Sequence, residues 1–574
     1  MPFGAQVTGD GGVRFRLWAP AAREVAVTVE GASFKMTKLE EGWFQRVEKA
    51  QPGARYRYRI DGTDEVPDPA SRSQPRDAEG PSEVLDPRAF AWRDGDWRGR
   101  PWREAVIYEL HVGAFSSPGN YKGILEKLPY LRDLGVTAIE LMPLADFCGR
   151  RNWGYDGVLP FAPDSRYGRP EALKALVQAA HRAGLMVFLD VVYNHFGPKG
   201  NFLHRYAPQF FTEKHKTPWG AAIDFSNRLV RSFFVHNALY WLEEYRFDGL
   251  RFDAVHAIVD DSPVHILDEI ASTIKHRFKG ERQVHLVLEN DANQARFLGP
   301  GKFDAQWNDD SHHGYHVLAT GEAGGYYKAY AEAPARHLAR ALAEGFAYQG
   351  EVSPFTGERR GERSAHLAPE CFVDFMQNHD QIGNRAHGER LASLSESSVL
   401  KCLSAILLLA PSPPLLFMGE EWGCRQPFLF FCDFAGELGE AVRKGRRDEF
   451  ARFAASADPK ARARIPDPLA EQTFKRSVLR WKDARSAAGR EWQAHYKALL
   501  DVRRAEIAPR AFGPGRYAML GERAFEVSWQ GGLTLRANCS EETIDVDELP
   551  KGRLLWGAES SKRLEAWTAS WWLA

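Results

Sequence analysis

Between residues 13 and 60, apolar and polar positions alternate with period two in VRFRLWAP, EVAVTVEG, WFQRVEK and ARYRYRIDG, with Gly, Pro or Asp close after each run. Short alternating runs between turn residues predict an antiparallel β-sandwich. In RYRYR (55–59) the same alternation puts the tyrosines inward and the arginines in solvent. Residues 67–87, rich in Pro, Asp and Ser, read as a linker. From about residue 104 the pattern changes to apolar runs alternating with helical periodicity. Pro170 opens EALKALVQAAHRAG, in which Leu173, Leu176, Val177 and Ala180 share a helical face and Gly184 ends it. The nearly continuous apolar run LMVFLDVVYNH follows, as a parallel strand buried on both faces requires.

Eight such runs can be placed: AVIYELHV (105–112), VTAIELMPL (136–144), LMVFLDVV (185–192), FDGLRFDAV (247–255), HLVLEN (285–290), FDAQWN (303–308), CFVDFMQNH (371–379) and PPLLFMG (413–419). Eight strands, mostly separated by helical segments, predict an α/β chain built on a (β/α)8 barrel. The long stretch at about 195–227, rich in Phe, Pro, His and Gly, reads as an excursion walling one side of a cleft. After a helix near residues 492–504, alternating runs return in RAFEVSWQ, LTLRANCS and GRLLWGA. The expected organisation is an N-terminal β-sandwich (1–90), the barrel (91–505) and a C-terminal antiparallel β domain (506–574).

Composition narrows the function without choosing it. The 75 Lys and Arg nearly cancel the 76 Asp and Glu, so no global field recruits nucleic acid or an anionic membrane. Six cysteines lack CxxC spacing, which argues against a disulfide framework or a structural zinc and favours a reducing, cytoplasmic setting. No stretch reads as a signal peptide or a membrane span, and no nucleotide-binding fingerprint occurs, so no cofactor is expected. A dedicated calcium loop is also missing, so none is expected to be required.

Polar residues gather where the runs end. The third run ends in Asp190, Asn194 and His195, the fourth in Arg251, Asp253 and His256, and the fifth in Glu289 and Asn290; the sixth leads into WNDDSHH (307–313) and the seventh into QNHDQIGN (377–384). In a parallel barrel these carboxyl ends converge on a single mouth. Arg251 and Asp253, two apart, face the same side, which keeps Asp253 ionised. Glu289 follows Leu286, Val287 and Leu288, a setting that favours its protonated form. A charged carboxylate beside a neutral acid is the pairing that retaining glycosidases use; a buried ion pair with Glu289 capping a loop is the structural alternative. Asp190 reads as a loop anchor. His312 and His313, adjacent and therefore divergent, suit hydrogen bonding to a polar ligand better than a metal. For Tyr155, in NWGYDG, a core role and a sugar-stacking role stand equal.

Taken together, DVVYNH, GLRFDAVH, LENDAN and QNHDQ resemble the four ordered signature regions of the α-amylase superfamily of glycoside hydrolases. Within it, YELHVGAFS, NWGYDGVLPFAP, YNHFGPKGNFL, WNDDSHH and FMQNHDQIGNRAHGERL are similar to the maltooligosyltrehalose trehalohydrolase family. The resemblance implies hydrolysis of the α-1,4 bond between a maltooligosyl chain and a terminal trehalose, with retention of configuration. It implies Asp253 as nucleophile, Glu289 as general acid and base, and Asp380 as the carboxylate that grips the sugar. It further implies that Tyr155, His195, Arg251 and His379 surround the sugar, with His256, Asp309, Asp310, His312, His313, Gln381 and Asn384 lining the substrate, and that the enzyme works in sequence with a maltooligosyltrehalose synthase. Branching or debranching enzymes of the superfamily are the alternative, and a non-catalytic sugar binder is a third reading.

Overall fold

The structure is a computed structural model that describes residues 1–9, 11–217, 220–451, 464–546, 548–558 and 562–574. Eight parallel strands close a barrel: β1 (Ile107–Leu110), β2 (Ala138–Leu141), β3 (Met186–Val191), β4 (Gly249–Phe252), β5 (His285–Leu288), β6 (Ala305–Trp307), β7 (Phe372–Phe375) and β8 (Pro414–Phe417). Each lies inside its predicted run. Helix α1 (Pro170–Arg182) has Pro at its first turn and buries Leu173, Leu176, Val177 and Ala180 on its inner face. One expected helix is missing among the described residues. Between β5 and β6 the chain forms only the 3-10 turn Ala295–Phe297, because Gly299, Pro300 and Gly301 leave too few helix-forming positions.

Two antiparallel sheets form the N-terminal sandwich, one ordered Gln6–Val7, Gly12–Trp18, Trp43–Lys49, Thr37–Lys38 and the other Ala32–Lys35, Val25–Val29, Arg55–Ile60, Asp64–Val66. Tyr56 and Tyr58 point inward, where their hydroxyls donate to Asp68 at 2.8 and 3.4 Å. Burial raises the Asp68 carboxyl to about 6. The stretch read as a linker is instead packed: Ser71, Arg72, Ser73 and Gln74 are buried, and Ser82–Glu83 pairs with Arg55–Ile60. Its polar side chains are spent on internal bonds such as Ser71 Oγ to Gln74 Oε1 at 2.8 Å.

The excursion after β3 folds as a short helix (Leu203–Tyr206), a turn (Pro208–Phe210) and a hairpin (Phe211–Thr217 with Gly220–Ile223). The sandwich seats it. Ala21 N donates to Tyr206 O at 3.0 Å, and the Trp18 and Phe210 rings lie 5.4 Å apart. At the other end of the chain a five-stranded antiparallel sheet docks on the barrel helices, with Trp571 Nε1 donating to Ala405 O at 3.1 Å and Trp529 Nε1 to Leu342 O at 3.2 Å.

Candidate active site

Register builds the centre of the site. Asp190 on β3 and Arg251 on β4 are direct partners in the parallel ladder, so their side chains rise together into the mouth. Arg251 is 1 % exposed and stacks 4.1 Å over the Trp307 ring. Its Nη1 donates to Asp190 Oδ2 at 2.5 Å and to Asp253 Oδ1 at 3.0 Å, while Nη2 reaches Glu289 Oε2 at 2.8 Å. One guanidinium therefore holds three carboxylates, and its planar fork sets Asp253 and Glu289 side by side.

Glu289 does not sit in the apolar setting that its preceding leucines suggested. Its Oε2 also accepts from the Ala254 amide at 2.7 Å. Ala254 can aim that amide because it occupies the left-handed region, φ 41°, directly after Asp253. A non-glycine residue rarely rests there, and such outliers cluster at functional sites. Asp253 is held from the opposite side by Asn194, whose Nδ2 donates to Asp253 Oδ2 at 2.9 Å. Asn194 was legible as a polar strand-end residue, but its direct grip on the carboxylate was not.

Asp190 does anchor a loop, the one that carries Tyr155 between β2 and α1. Beyond Arg251 it accepts from Tyr155 Oη at 2.6 Å, and burial raises its carboxyl to about 7 against the pull of Arg251. Tyr155 thereby has a fixed ring, stacked on His379 at 5.0 Å and 23°. His379 Nδ1 lies 2.5 Å from Glu109 Oε1, and its backbone N donates to Glu109 Oε2 at 3.0 Å. Burial opposes charge on this ring, but Glu109 outweighs it and the His379 pKa is raised. Glu109, deep in β1, is a positioning group that no sequence pattern singled out. His195 is nearly buried, with Nε2 3.0 Å from Tyr155 O, and burial lowers it to about 4, so it is neutral at pH 7.

Asp380 lies half-buried at the head of the short helix His379–Gly383, capped by the Asn378 side chain, and burial raises its carboxyl. The Asn384 amide donates to Asp380 Oδ1. Gln381 Oε1 accepts from Tyr326 Oη at 2.8 Å on the rim, and exposed His256 holds the Asp291 amide at 3.3 Å through Nδ1.

The residues of WNDDSHH divide. Asp309 is nearly buried at the start of α2 (Asp309–Thr320), and burial together with Glu289 and Asp291 raises its carboxyl well above the usual range. Asp310 has no solvent exposure; it accepts from Arg360 at 2.7 Å, Tyr330 Oη at 2.5 Å and the Ala347 amide at 2.7 Å. His312 stacks on Phe375 and His313 on Tyr330, both pushed toward the neutral form by burial. Asp310 is thus held by Arg360, Tyr330 and the Ala347 amide, and His312 lies against the Phe375 ring. No group of three or more His, Cys, Asp or Glu among the described residues could hold a metal ion. No helix among them is long and apolar enough to cross a membrane.

Three family models match this chain: the catalytic domain of alpha amylase at residues 84–219, carbohydrate-binding module 48 (isoamylase N-terminal domain) at residues 2–87, and a domain of unknown function at residues 513–571. The malto-oligosyltrehalose trehalohydrolase of Deinococcus radiodurans is 45 % identical over 501 residues, covering 87 % of this chain and 82 % of its own. That of Saccharolobus solfataricus is 40 % identical over 515 residues, covering 88 % and 87 %. The crystal structure of a putative alpha amylase from Salmonella typhimurium superposes with a TM-score of 0.95 at 45 % identity, covering all of this chain and 99 % of that one.

Proposed function

Since the chain belongs to the malto-oligosyltrehalose trehalohydrolase family of the α-amylase superfamily, we propose that its barrel mouth cleaves the α-1,4 bond between a maltooligosyl chain and terminal trehalose by double displacement. The observation that carries the chemistry is the single Arg251 guanidinium gripping Asp253 and Glu289 at 3.0 and 2.8 Å. One guanidinium bridging both groups is compatible with the carboxyl spacing of retaining glycosidases, about 5–5.5 Å.

In the first step Asp253 attacks the anomeric carbon of the maltooligosyl unit. The bond to O4 of trehalose breaks, and Glu289, acting as general acid, delivers a proton to that oxygen. Arg251 and the Ala254 amide occupy Oε2, which leaves Oε1 for the transfer. In the second step Glu289 takes a proton from water, which attacks the glycosyl ester and frees Asp253. Asp380 grips the sugar through the transition state, while Tyr155, His195, Arg251 and His379 line the pocket around it. His256, Asp309 and Gln381 fit the outer rim, and Asp310, His312 and His313 its supporting wall. We place the domain borders near residues 90 and 505. The substrate requires an enzyme that builds the trehalose linkage, so we pair this protein functionally with a maltooligosyltrehalose synthase. The six free cysteines support a reducing, cytoplasmic setting for this protein.

Incubation with maltooligosyltrehalose and, separately, with amylose tests this reading. Free trehalose from the first, with the new maltooligosaccharide end appearing as the α anomer by NMR, is the expected result. New α-1,6 branch points in amylose would mark a transferase, and no reaction with either would mark a binder. Adding the synthase to the amylose reaction should yield trehalose; its absence would sink the pairing.

A further inference from the structure

We infer that Arg446, on a helix outside the barrel, is a positioning residue for Asp380 that acts through the side-chain amide of Asn384. Helix α3 (Gly436–Ala451) follows β8 and lays Arg446 against the loop after β7. Arg446 Nη1 donates to Asn384 Oδ1 at 2.7 Å, and Nη2 donates to Gly383 O. Its guanidinium also covers the Phe430 ring at 5.0 Å, with 10 % of the side chain exposed.

The chemistry of the amide turns these contacts into a direction. A primary amide has one accepting end and one donating end, and a guanidinium only donates. With Arg446 on Oδ1, the Asn384 NH2 must face the other way, onto Asp380 Oδ1, where the structure places it. Without Arg446 the amide keeps only its bond to the carboxylate and loses the second anchor that fixes its plane. Arg446 also ties down the carbonyl of Gly383, a residue whose position the Trp153 ring already fixes: a Cβ at Gly383 would meet that ring at 2.1 Å. The relay Arg446–Asn384–Asp380 thus orients one carboxylate oxygen toward the sugar from outside the barrel wall. The inference rests on the proposed role of Asp380, and it adds a residue that none of the signature motifs contains.

A double-mutant cycle on the full chain tests it. Arg446→Met and Asn384→Ala should each lower kcat by about 10- to 100-fold with KM changed less than about threefold. The double variant should fall no further than Asn384→Ala alone, because the two groups act in series. Arg446→Lys, which keeps one donor to Oδ1, should recover part of the loss and covers the case in which the methionine variant fails to fold. Multiplicative losses, an unchanged kcat in Arg446→Lys and Arg446→Met, or losses that follow melting temperature would overturn the relay. Asp380→Asn serves as the control: near-normal turnover in that variant would show that the reading of Asp380 had failed, whereas a dead Asp380→Asn with a non-coupled cycle would overturn the relay alone.

Discussion

Asp190 Oδ2 lies 2.5 Å from Arg251 Nη1, and the two residues are ladder partners across β3 and β4. The pair is sealed from solvent and is completed by Asp253 and Glu289 on the same guanidinium. Arg251→Met should therefore leave three crowded carboxylates without a counter-charge. We expect a loss of about 3–5 kcal/mol in urea unfolding, as for removal of one partner from a buried pair, together with loss of turnover. A variant within about 1 kcal/mol of the parent would show that the cluster neutralises itself by protonation.

Asp253→Asn and Glu289→Gln keep the shape of the pocket and remove the reacting groups. Each should cut kcat by at least about 1,000-fold while the far-UV circular dichroism is unchanged. The Glu289 variant should recover with a substrate whose leaving group needs no proton, and the Asp253 variant should not. Recovery by the Asp253 variant alone would reverse the assignment of nucleophile and acid.

The pH response follows from His379. Its ordinary value is 6.5, and Glu109 raises it in the folded protein in spite of burial. A raised histidine contributes stability that is fully present below about pH 6.5 and is lost as pH climbs through the folded value. If the charged ring also supports the sugar pocket, activity declines along the same alkaline limb. Glu109→Gln should move that limb to lower pH; a limb that stays in place would assign it to another group.

The sandwich holds the wall of the cleft through Trp18 and Phe210. The contact continues inward, since Phe196, next to His195, lies 6.4 Å from Phe210 and 6.1 Å from Phe211. Trp18→Ala should cost about 3–5 kcal/mol through the cavity it opens, and should raise KM for maltooligosyltrehalose more than it lowers kcat. An unchanged KM would mean that the excursion keeps its shape without the sandwich.

Dialysis against a chelator should leave both melting temperature and turnover unchanged, because Asp190, Asp253 and Glu289 are engaged by arginine, amides and a hydroxyl. A drop in either that calcium restored would reveal an ion in the wall.

Much of the site was legible in the chain because its residues lie at strand ends. Arg251 is on β4 with Asp253 just past its end, and Glu289 follows the last residue of β5, so the strand order alone brings them to one mouth. Glu109 was not legible, since an acid inside an apolar run carries no mark of its partner, and His379 lies 270 residues away. Arg446 was hidden for the same reason, in a helix that reads as an ordinary charged surface segment.

By itself, the sequence determined the eight strand positions and which carboxylates gather at their ends. Those follow from local periodicity and from residue types at the points where it breaks. Only the tertiary structure decided that Asp190 serves Arg251 and Tyr155, that Glu289 is paired instead of surrounded by apolar groups, and that Asp310 meets Arg360 and His312 the Phe375 ring. It also decided that residues 67–87 pack as part of a domain. Each of these depends on which distant group fills a given space, and close packing settles that across the whole chain at once.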